Sequence, residues 1–314
     1  MFSAFKRAFK KRVANSEHSF LKSDLSLKEI SKMTSKLVKF NLSAFNGLSA
    51  AAGYLFCASS TTAGISPLVT GAVFIGTTLS AFSSSIGNQI IERDLDKKMI
   101  RTKNRPICKN EISPKTAFSI ASTFLTFSFL FLGGFCGVPS FVASLVTAIL
   151  YIAVYTPMKR ITHLNTHFGA LVGALPPIIG GLAAGFDVWH NSLYVSAFYY
   201  FWQIVHFYVI STRFKDDYLK AGFVMQINRN PNQAAFESDL SCLGMIAAPI
   251  FSVCMGAVKW PVLIPIFLIW KTFFSEYLQY KRNQTLKQYI EFSMMQYVSV
   301  SLFVSFFVLG KWFF

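Results

Sequence analysis

The stretch NQIIERDLDKKMIRTKNRP, Asn88–Pro106, separates two long apolar segments and contains three carboxylates and six cations. The rest of the chain is unlike it: of 314 residues, 53% are hydrophobic, 34 are Phe and only 14% are charged. Soluble domains contain about 25% charged residues, so this composition predicts a polytopic membrane protein. The dense charge at the end of a membrane-length segment then needs a functional explanation.

Apolar segments of membrane length follow one another along the chain. A spanning helix needs roughly 20 apolar residues, and Gly, Pro or charged residues interrupt the sequence between segments. We predict an all-α protein with nine transmembrane helices, over residues 42–60, 67–88, 116–134, 139–156, 167–186, 192–211, 240–258, 261–280 and 292–311. No soluble domain fits between them, so we predict a basic N-terminal segment, 1–40, and one membrane domain, 41–314.

The positive charges lie on one side of this topology. With the N-terminus inside, 27 of the 30 Lys and Arg residues fall in the inner segments, as the positive-inside rule requires. This distribution explains the net charge of +16 without a nucleic-acid partner. Among the short outer loops only Asp187 is acidic. The one-sided layout favours an enzyme that takes an apolar substrate from lipid and a charged group from water, over a channel or carrier.

The N-terminal sequence MFSAFKRAFKKRVANS has five Lys or Arg in its first twelve residues, and no acid precedes Glu17. Its apolar residues share one helical face: Phe2, Phe5, Phe9 and Val13. A basic amphipathic start without acids is typical of mitochondrial targeting segments. The alternative is a helix lying on a membrane surface in the cytosol.

Within the opening stretch, Asn88, Glu92 and Asp96 are spaced four residues apart, which puts them within about 40° of one helical face. Stacked oxygen ligands at a membrane boundary suit Mg²⁺, which shares its coordination between carboxylates and substrate phosphates. Asp94 lies on another face. The basic residues that follow are donors for phosphate oxygens: Arg101, Lys103 and Arg105. The alternative is a solvated helix whose acids pair with neighbouring cations.

Two further groups of polar residues lie at the inner ends of later spans. In YTPMKR we expect Pro157 to end the fourth span, with Tyr155 and Lys159 facing an inner cavity. Lys159 and Arg160 are candidate diphosphate ligands, although cations at a membrane boundary also extend to the interface without binding anything. Asn165 is a further candidate polar ligand.

On the sixth span, His206, Arg213 and Asp217 are separated by offsets that put them on one helical face. A histidine in a membrane helix is often a hydrogen-bonded structural group. Because charged and amide residues cluster at the same end of this span, we favour a functional role for His206.

These three motifs together resemble the UbiA superfamily of intramembrane prenyltransferases. The opening stretch resembles the first Asp-rich motif of that family. YTPMKRITHLNTHFGALVGALPPIIGG and FWQIVHFYVISTRFKDDYLKAGFVM are similar, in the same order, to later motifs of its protohaem IX farnesyltransferase branch. The resemblance covers roughly residues 40–310. Two positions depart from the pattern: Glu92 stands where Asp is common, and Val205 replaces the usual Pro before the histidine.

The resemblance implies a helical bundle around a central cavity, in the mitochondrial inner membrane, with its active site facing the matrix. It implies transfer of a farnesyl group from farnesyl diphosphate to haem B, which gives haem O. It also implies Mg²⁺ held by Asn88, Glu92 and Asp96, with Asp217 as a further ligand. His206 is then expected to orient haem or to coordinate its iron. The remaining expected site residues contact the diphosphate or line the cavity: Lys103, Arg105, Tyr155, Lys159, Arg160, Asn165 and Arg213.

The product of such an enzyme passes to a downstream haem-modifying enzyme and then to cytochrome oxidase. Three other hypotheses remain. A related prenyltransferase acting on another aromatic acceptor, such as 4-hydroxybenzoate, predicts a second Asp-rich motif in place of HFYVISTRFKDDY. A transporter predicts charges in mid-span, where Lys271 is the strongest candidate. An assembly factor with the same fold does not need the acidic face.

Overall fold

The structure is a computed structural model that describes residues 27–313. The predicted targeting sequence lies outside the described residues. Within them the chain is helical and contains no β-strand, which confirms the all-α class. The first helices are α1 Leu27–Val38, α2 Phe40–Ala58, α3 Pro67–Ile91, α4 Arg93–Asp96, α5 Pro114–Phe135 and α6 Val138–Ile149, which continues as a π-helix Leu150–Tyr155 into α7 Thr156–Met158.

The second half continues with α8 Asn165–Gly173, α9 Pro176–Ala184, a 3₁₀ turn Trp189–Asn191, α10 Ser192–Arg213, α11 Lys215–Ala221, α12 Gln226–Arg229, α13 Pro231–Cys254, a 3₁₀ turn Trp260–Val262, α14 Leu263–Asn283 and α15 Leu286–Phe313. A large aromatic core lies between α2, α10, α13, α14 and α15.

Every one of the nine predicted spans corresponds to helical structure, and eight segments among residues 27–313 are long and apolar enough to cross a membrane. The helix outside that set is α2, whose 19 residues include Ser, Asn and Gly. Small residues on α2 and α9 permit a close crossing of these two helices. A Cβ on Gly180 of α9 would lie 1.8 Å from the carbonyl oxygen of Ala50, and a Cβ on Gly53 of α2 would lie 2.0 Å from the carbonyl oxygen of Pro177. The low hydropathy of α2 therefore reflects backbone packing inside the bundle.

Two spans are interrupted next to the cavity. The span over Val138–Met158 contains the π-helix, in which the Thr156 N–H donates to the Tyr151 carbonyl. This wider turn precedes Pro157, and the helix continues through it to Met158. Our expectation that Pro157 ends the span was therefore wrong by one residue. The next span breaks between α8 and α9, where Pro176 begins a new helix.

Helix α13 begins nine residues before the predicted span at 240–258. Asn230 caps it, since its side chain accepts from the Gln233 N–H at 3.1 Å, and Pro231 occupies the first turn. Glu237 and Asp239, which precede the predicted span, therefore lie on this helix.

The residues just before the predicted membrane domain also pack on the bundle. Leu37 and Val38 of α1 are buried with Ile86 of α3. The chain then turns sharply at Lys39, whose left-handed conformation (φ 47°, ψ 56°) joins α1 to α2. This conformation is uncommon for a residue with a side chain, and here it directs the lysine towards the inner end of α3.

Candidate active site

One cavity collects polar side chains from distant parts of the chain: the α1–α2 junction, the end of α3 with the loop after it, the π-helix, the residue after α7, and helices α8, α10, α11 and α15. Its polar and aromatic lining includes Lys39, Asn88, Glu92, Asp96, Arg101, Arg105, Tyr151, Tyr155, Lys159, Asn165, Trp202, Gln203, His206, Tyr218 and Tyr297. The sequence motifs that lie far apart along the chain therefore share one space.

Asn88, Glu92 and Asp96 remain in helical register although α3 ends at Ile91. The Glu92 N–H donates to the Asn88 carbonyl at 2.9 Å, and the Asp96 N–H donates to the Glu92 carbonyl at 2.8 Å. All three residues are at most 3% exposed, whereas the Asp94 side chain is 86% exposed and pairs with Lys97. The three residues predicted to share one helical face are therefore buried together, and Asp94, predicted on another face, is not.

Hydrogen bonds fix which end of the Asn88 amide faces the cations. Its Nδ2 donates to the Thr156 hydroxyl at 3.1 Å, and its Oδ1 accepts from the Lys39 ammonium at 3.2 Å. Thr156 in turn donates to the Tyr151 carbonyl at 2.8 Å. The π-helix thus holds the amide so that its oxygen, the atom that binds cations, is presented to the site.

Glu92 and Lys159 form a buried ion pair with an Nζ–Oε1 distance of 2.8 Å. Burial alone would raise the pKa of Glu92, but the charge and hydrogen bond of Lys159 outweigh it and hold that pKa below its usual value. Burial likewise opposes the charge on Lys159, and Glu92 reverses the effect so that the lysine pKa is raised. Both groups are therefore ionised in this pair.

Asp96 contacts the Arg105 guanidinium, and its environment differs from that of Glu92. Burial raises the pKa of Asp96; Arg105 opposes that rise, while Glu92 adds to it. Lys39 has its pKa well below the usual value, because of burial first and then the positive charges of Arg105 and Lys159. The two carboxylates and three cations of this cluster therefore influence one another directly.

Positive charge exceeds negative charge at this end of the cavity. Glu92 and Asp96 are its two acids, and its four cations are Lys39, Arg101, Arg105 and Lys159. A net positive, partly dehydrated site favours a polyanion, and guanidinium and ammonium groups are the usual ligands of phosphate oxygens. The carboxylates make the same site suitable for a divalent cation that accompanies the anion.

The oxygen atoms present fit Mg²⁺. The site offers the Asn88 amide oxygen and two carboxylates, and Oε2 of Glu92 accepts no hydrogen bond from any residue in 27–313. No group of three His, Cys, Asp or Glu residues in the described chain could hold a metal by itself. Two carboxylates and an amide suit a hard ion that completes its coordination with water and substrate phosphate.

At another wall of the cavity, His206 lies among aromatic rings. Its imidazole stacks on Trp202 with a centroid distance of 5.0 Å and an interplanar angle of 8°. Tyr297 meets it edge-on at 5.7 Å. The Nδ1 atom of His206 lies 2.9 Å from Oε1 of Gln296 on α15. The cavity therefore joins a charged end to an aromatic wall that carries one imidazole.

Loops at the inner side hold the charged end in place. The Arg101 N–H donates to Asp217 at 3.2 Å, and the Arg101 side chain donates to the Tyr218 hydroxyl at 3.0 Å. Asn165 donates to the carbonyls of Thr162 and Val224, at 2.6 and 2.7 Å. Three inner segments are thereby tied together around the cavity.

Eight of the twelve predicted site residues line this cavity: Asn88, Glu92, Asp96, Arg105, Tyr155, Lys159, Asn165 and His206. The structure does not bring the other four to it. Lys103 and Arg213 are exposed, and Arg160 is exposed with its side chain donating to the Ile91 carbonyl. Asp217 is buried, where it accepts the Arg101 N–H.

Sequence reasoning missed Lys39 in the cavity lining, and it missed Thr156 and Gln296, which hydrogen-bond to the lining residues Asn88 and His206. Lys39 resembled one more cation of a basic N-terminal segment, and only the turn after α1 distinguishes it. Nothing in the sequence distinguishes Thr156 from any other threonine at the end of an apolar segment. Gln296 did give a signal, because an amide inside an apolar span needs a partner.

The chain matches the model of the UbiA prenyltransferase family over residues 47–307. It is 36% identical over 192 residues to a protohaem IX farnesyltransferase of Oleidesulfovibrio alaskensis, covering 61% of this chain and 66% of that one. The Geobacter sulfurreducens protein of the same name is 34% identical, covering 59% and 67%. The human mitochondrial one is 33% identical, covering 57% and 41%. The aligned part thus spans about two fifths to two thirds of these relatives.

Solved structures show the same fold at low sequence identity. A digeranylgeranylglyceryl phosphate synthase matches with a TM-score of 0.70 at 13% identity, covering 90% of this chain and 99% of that one. A UbiA homologue from Archaeoglobus fulgidus bound to GPP and Mg²⁺ matches with a TM-score of 0.63 at 16% identity, covering 88% and 99%. With the family match over most of the chain, the resemblance seen in the three motifs is confirmed: the chain belongs to the UbiA prenyltransferase family.

Proposed function

We propose that this protein transfers the farnesyl group of farnesyl diphosphate to a vinyl group of haem B and so makes haem O, an intermediate on the route to haem A for cytochrome c oxidase. The similar bacterial and mitochondrial proteins named protohaem IX farnesyltransferases support this substrate pair. The family supports prenyl transfer as the reaction.

One observation carries the proposal. A single cavity connects a cluster of two carboxylates and four cations with an aromatic wall that bears His206. The charged end suits a diphosphate and the aromatic wall suits a flat, apolar macrocycle. A site for one substrate alone would not need both.

At the charged end, Lys39, Arg105 and Lys159 now contact the oxygen atoms of Asn88, Asp96 and Glu92. We propose that these cations bind the diphosphate oxygens and stabilise the negative charge that develops on them. Asn88, Glu92 and Asp96 would hold Mg²⁺. When bound, this ion supplies charge neutralisation for the leaving diphosphate.

In this reaction the allylic C–O bond breaks and leaves the farnesyl group as a delocalised cation. Tyr151 and Tyr155 line the cavity beside Lys159, so their rings are placed to shelter positive charge. The vinyl group of haem attacks C1 of the farnesyl group, and the resulting cation takes up water and releases a proton. The products are diphosphate and a hydroxyethylfarnesyl haem, and no covalent bond to the protein forms.

We further propose that the protein lies in the mitochondrial inner membrane with the charged end facing the matrix. Relatives from human, Dictyostelium discoideum and Candida glabrata are mitochondrial by name. The basic inner segments of the sequence support this orientation. Product release into the membrane would then supply the downstream haem-modifying enzyme.

The direct test incubates the purified full-length protein with haem B, farnesyl diphosphate and Mg²⁺, and follows haem products by mass spectrometry. We expect farnesylated haem, with little product when 4-hydroxybenzoate replaces haem B. Prenylated 4-hydroxybenzoate together with unmodified haem would refute the proposed acceptor and leave only prenyl transfer.

A further inference from the structure

Gln296 has a buried side-chain amide in the membrane-spanning helix α15. Both its side-chain oxygen and its main-chain oxygen contact residues of the aromatic wall that carries His206. Its side-chain Oε1 lies 2.9 Å from Nδ1 of His206. Its main-chain carbonyl accepts the Trp202 indole N–H at 3.1 Å. Gln296 is 0% exposed, and its Nε2 has no hydrogen-bond partner.

A buried amide nitrogen without a partner costs about 1–3 kcal/mol. An apolar residue at position 296 would avoid that cost, so stability does not account for Gln296. The oxygen of the amide does have a partner, the imidazole of His206. We therefore explain the glutamine at position 296 by its oxygen, which is a hydrogen-bond acceptor next to Nδ1 of His206.

That acceptor determines the protonation of the imidazole. An amide oxygen accepts only from a protonated Nδ1, so the neutral ring carries its hydrogen there and keeps its lone pair on Nε2. Nε2 forms no hydrogen bond with any residue in 27–313, and His206 is the only histidine among the described residues that line the cavity. The stacked Trp202 restricts rotation of the ring.

We propose that Nε2 of His206 is an axial ligand of the iron of haem B, and that Gln296 is the positioning residue that keeps this nitrogen unprotonated and directed into the cavity. A histidine that binds a metal commonly donates its other N–H to an oxygen, which orients the ring and raises its basicity. Axial ligation contacts the face of the macrocycle at iron and leaves the vinyl groups at its edge free to react. This inference rests on the proposed function, because it takes haem as the substrate.

The test uses the purified full-length protein with ferrous haem B and no farnesyl diphosphate. We expect a resonance Raman iron–histidine stretching band in the wild type. In His206→Gly the band should be lost and then restored by added imidazole, which can enter the vacated space. His167→Gly is the matched control, because His167 lies on α8 outside the cavity lining, beside Tyr200 and Glu237, and should leave the band unchanged.

Gln296 is tested by the position of the band and by haem affinity. Loss of such a partner typically weakens metal binding about 10–100-fold, so Gln296→Leu should weaken haem binding at least tenfold and shift the band to lower frequency. Gln296→Glu should restore affinity, because its oxygen still accepts from Nδ1. Gln288→Leu, at the first turn of the same helix, should change neither quantity.

A wild-type complex without an iron–histidine band would overturn the inference, and so would a band that survives in His206→Gly or disappears in His167→Gly. The experiment distinguishes failure of this inference from failure of the proposed function. Haem farnesylation by a protein without the band would leave the function intact, whereas an imidazole-ligated haem that is never farnesylated would refute the function and not the ligand.

Discussion

Two clusters of the bundle each combine a carboxylate, a lysine and a tyrosine, and their surroundings differ. In the cavity, Lys159 contacts Glu92 at 2.8 Å and lies 4.5 Å from the centre of the Tyr155 ring. The lysine and glutamate side chains are only 14% and 5% exposed. Three further cations and a second carboxylate line the same cavity.

Between α13 and α14, Lys281 donates to Asp239 and lies 5.9 Å from the centre of the Tyr277 ring. The Tyr277 hydroxyl donates to the same carboxylate at 2.9 Å. Here the lysine and aspartate are 30% and 42% exposed, and neither lines the cavity. Similar groups therefore occur in a cluster that is matched in charge and lies at the surface of the bundle.

The difference separates a functional from a structural arrangement. Burying an ion pair costs desolvation free energy that its attraction seldom recovers, so the buried Glu92–Lys159 pair is poorly explained by stability. A partly exposed pair is inexpensive and contributes little, about 0–1 kcal/mol. The cavity cluster has more cations than acids, so a bound polyanion would balance it. The Asp239 cluster is already balanced.

The largest expected effect distinguishes the two clusters by an isosteric change in each. Asp96→Asn removes the charge of one carboxylate proposed to hold Mg²⁺, and we expect at least a 100-fold loss in the rate of haem O formation, since loss of one contribution to stabilising the leaving diphosphate costs about 10²–10³. Asp239→Asn should keep the rate within about twofold. The rate is measured by mass spectrometry on protein that elutes as a folded species from gel filtration.

Equal losses in these two variants would mean that both clusters act through the fold. An active Asp96→Asn protein would remove the proposed metal and diphosphate site. The same assay with Asp96→Ala should give no detectable product, because that variant also removes the oxygen atoms.

The contrast also shows what the sequence could establish. Asn88, Glu92 and Asp96 were predictable because they lie on a continuous helical register, where spacing determines direction. The basic residues after them lie in consecutive turns at residues 97–112 with no repeating register. Spacing therefore could not show that Arg105 turns inward while Lys103 turns outward.

Lys39 and Asp239 show the same limit at helix ends. The direction of Lys39 depends on one left-handed residue, which its neighbours in the sequence do not specify. Asp239 lies just before the predicted span, because the apolar segment starts at residue 240. The cap at Asn230 extends the helix well before the hydropathy rises. In both cases the local backbone geometry at a helix end decides where the side chain lies, and a hydropathy pattern does not describe that geometry.

The next effect concerns the two neighbouring cations of this irregular loop. Arg105 contacts Asp96 in the cavity, whereas the Lys103 side chain is exposed. We expect Arg105→Ala to reduce kcat/KM for farnesyl diphosphate by about 100-fold, as for loss of a charged ligand to a phosphate. Lys103→Ala should change it less than about twofold. Similar losses in both would mean that the loop rearranges when the substrate binds.

A smaller effect is expected at Lys39, which lies beside Asn88 and is one of several cations available to the diphosphate. Lys39→Met should raise KM for farnesyl diphosphate about tenfold, the equivalent of one charged contact of about 1.4 kcal/mol. Lys36→Met is the matched control, because Lys36 is an exposed lysine in the last turn of α1, three residues before Lys39. An unchanged KM in Lys39→Met would place the diphosphate deeper along α3.

The smallest expected effect is at Lys281. Lys281→Met removes a partly exposed cation, and water or lipid headgroups can solvate Asp239 in its place, so the free energy of unfolding should fall by less than about 1 kcal/mol. Lys159→Met instead leaves Glu92 buried without its partner, where the corresponding loss is about 3–5 kcal/mol. Thermal unfolding of the two variants in one detergent compares them directly. A bound diphosphate analogue should not restore the Tm of Lys159→Met, because in the proposed site the lysine itself binds that anion. If the two variants unfold at the same temperature, the cavity is wet enough for Glu92 to be solvated without Lys159, and burial is not what distinguishes the two clusters.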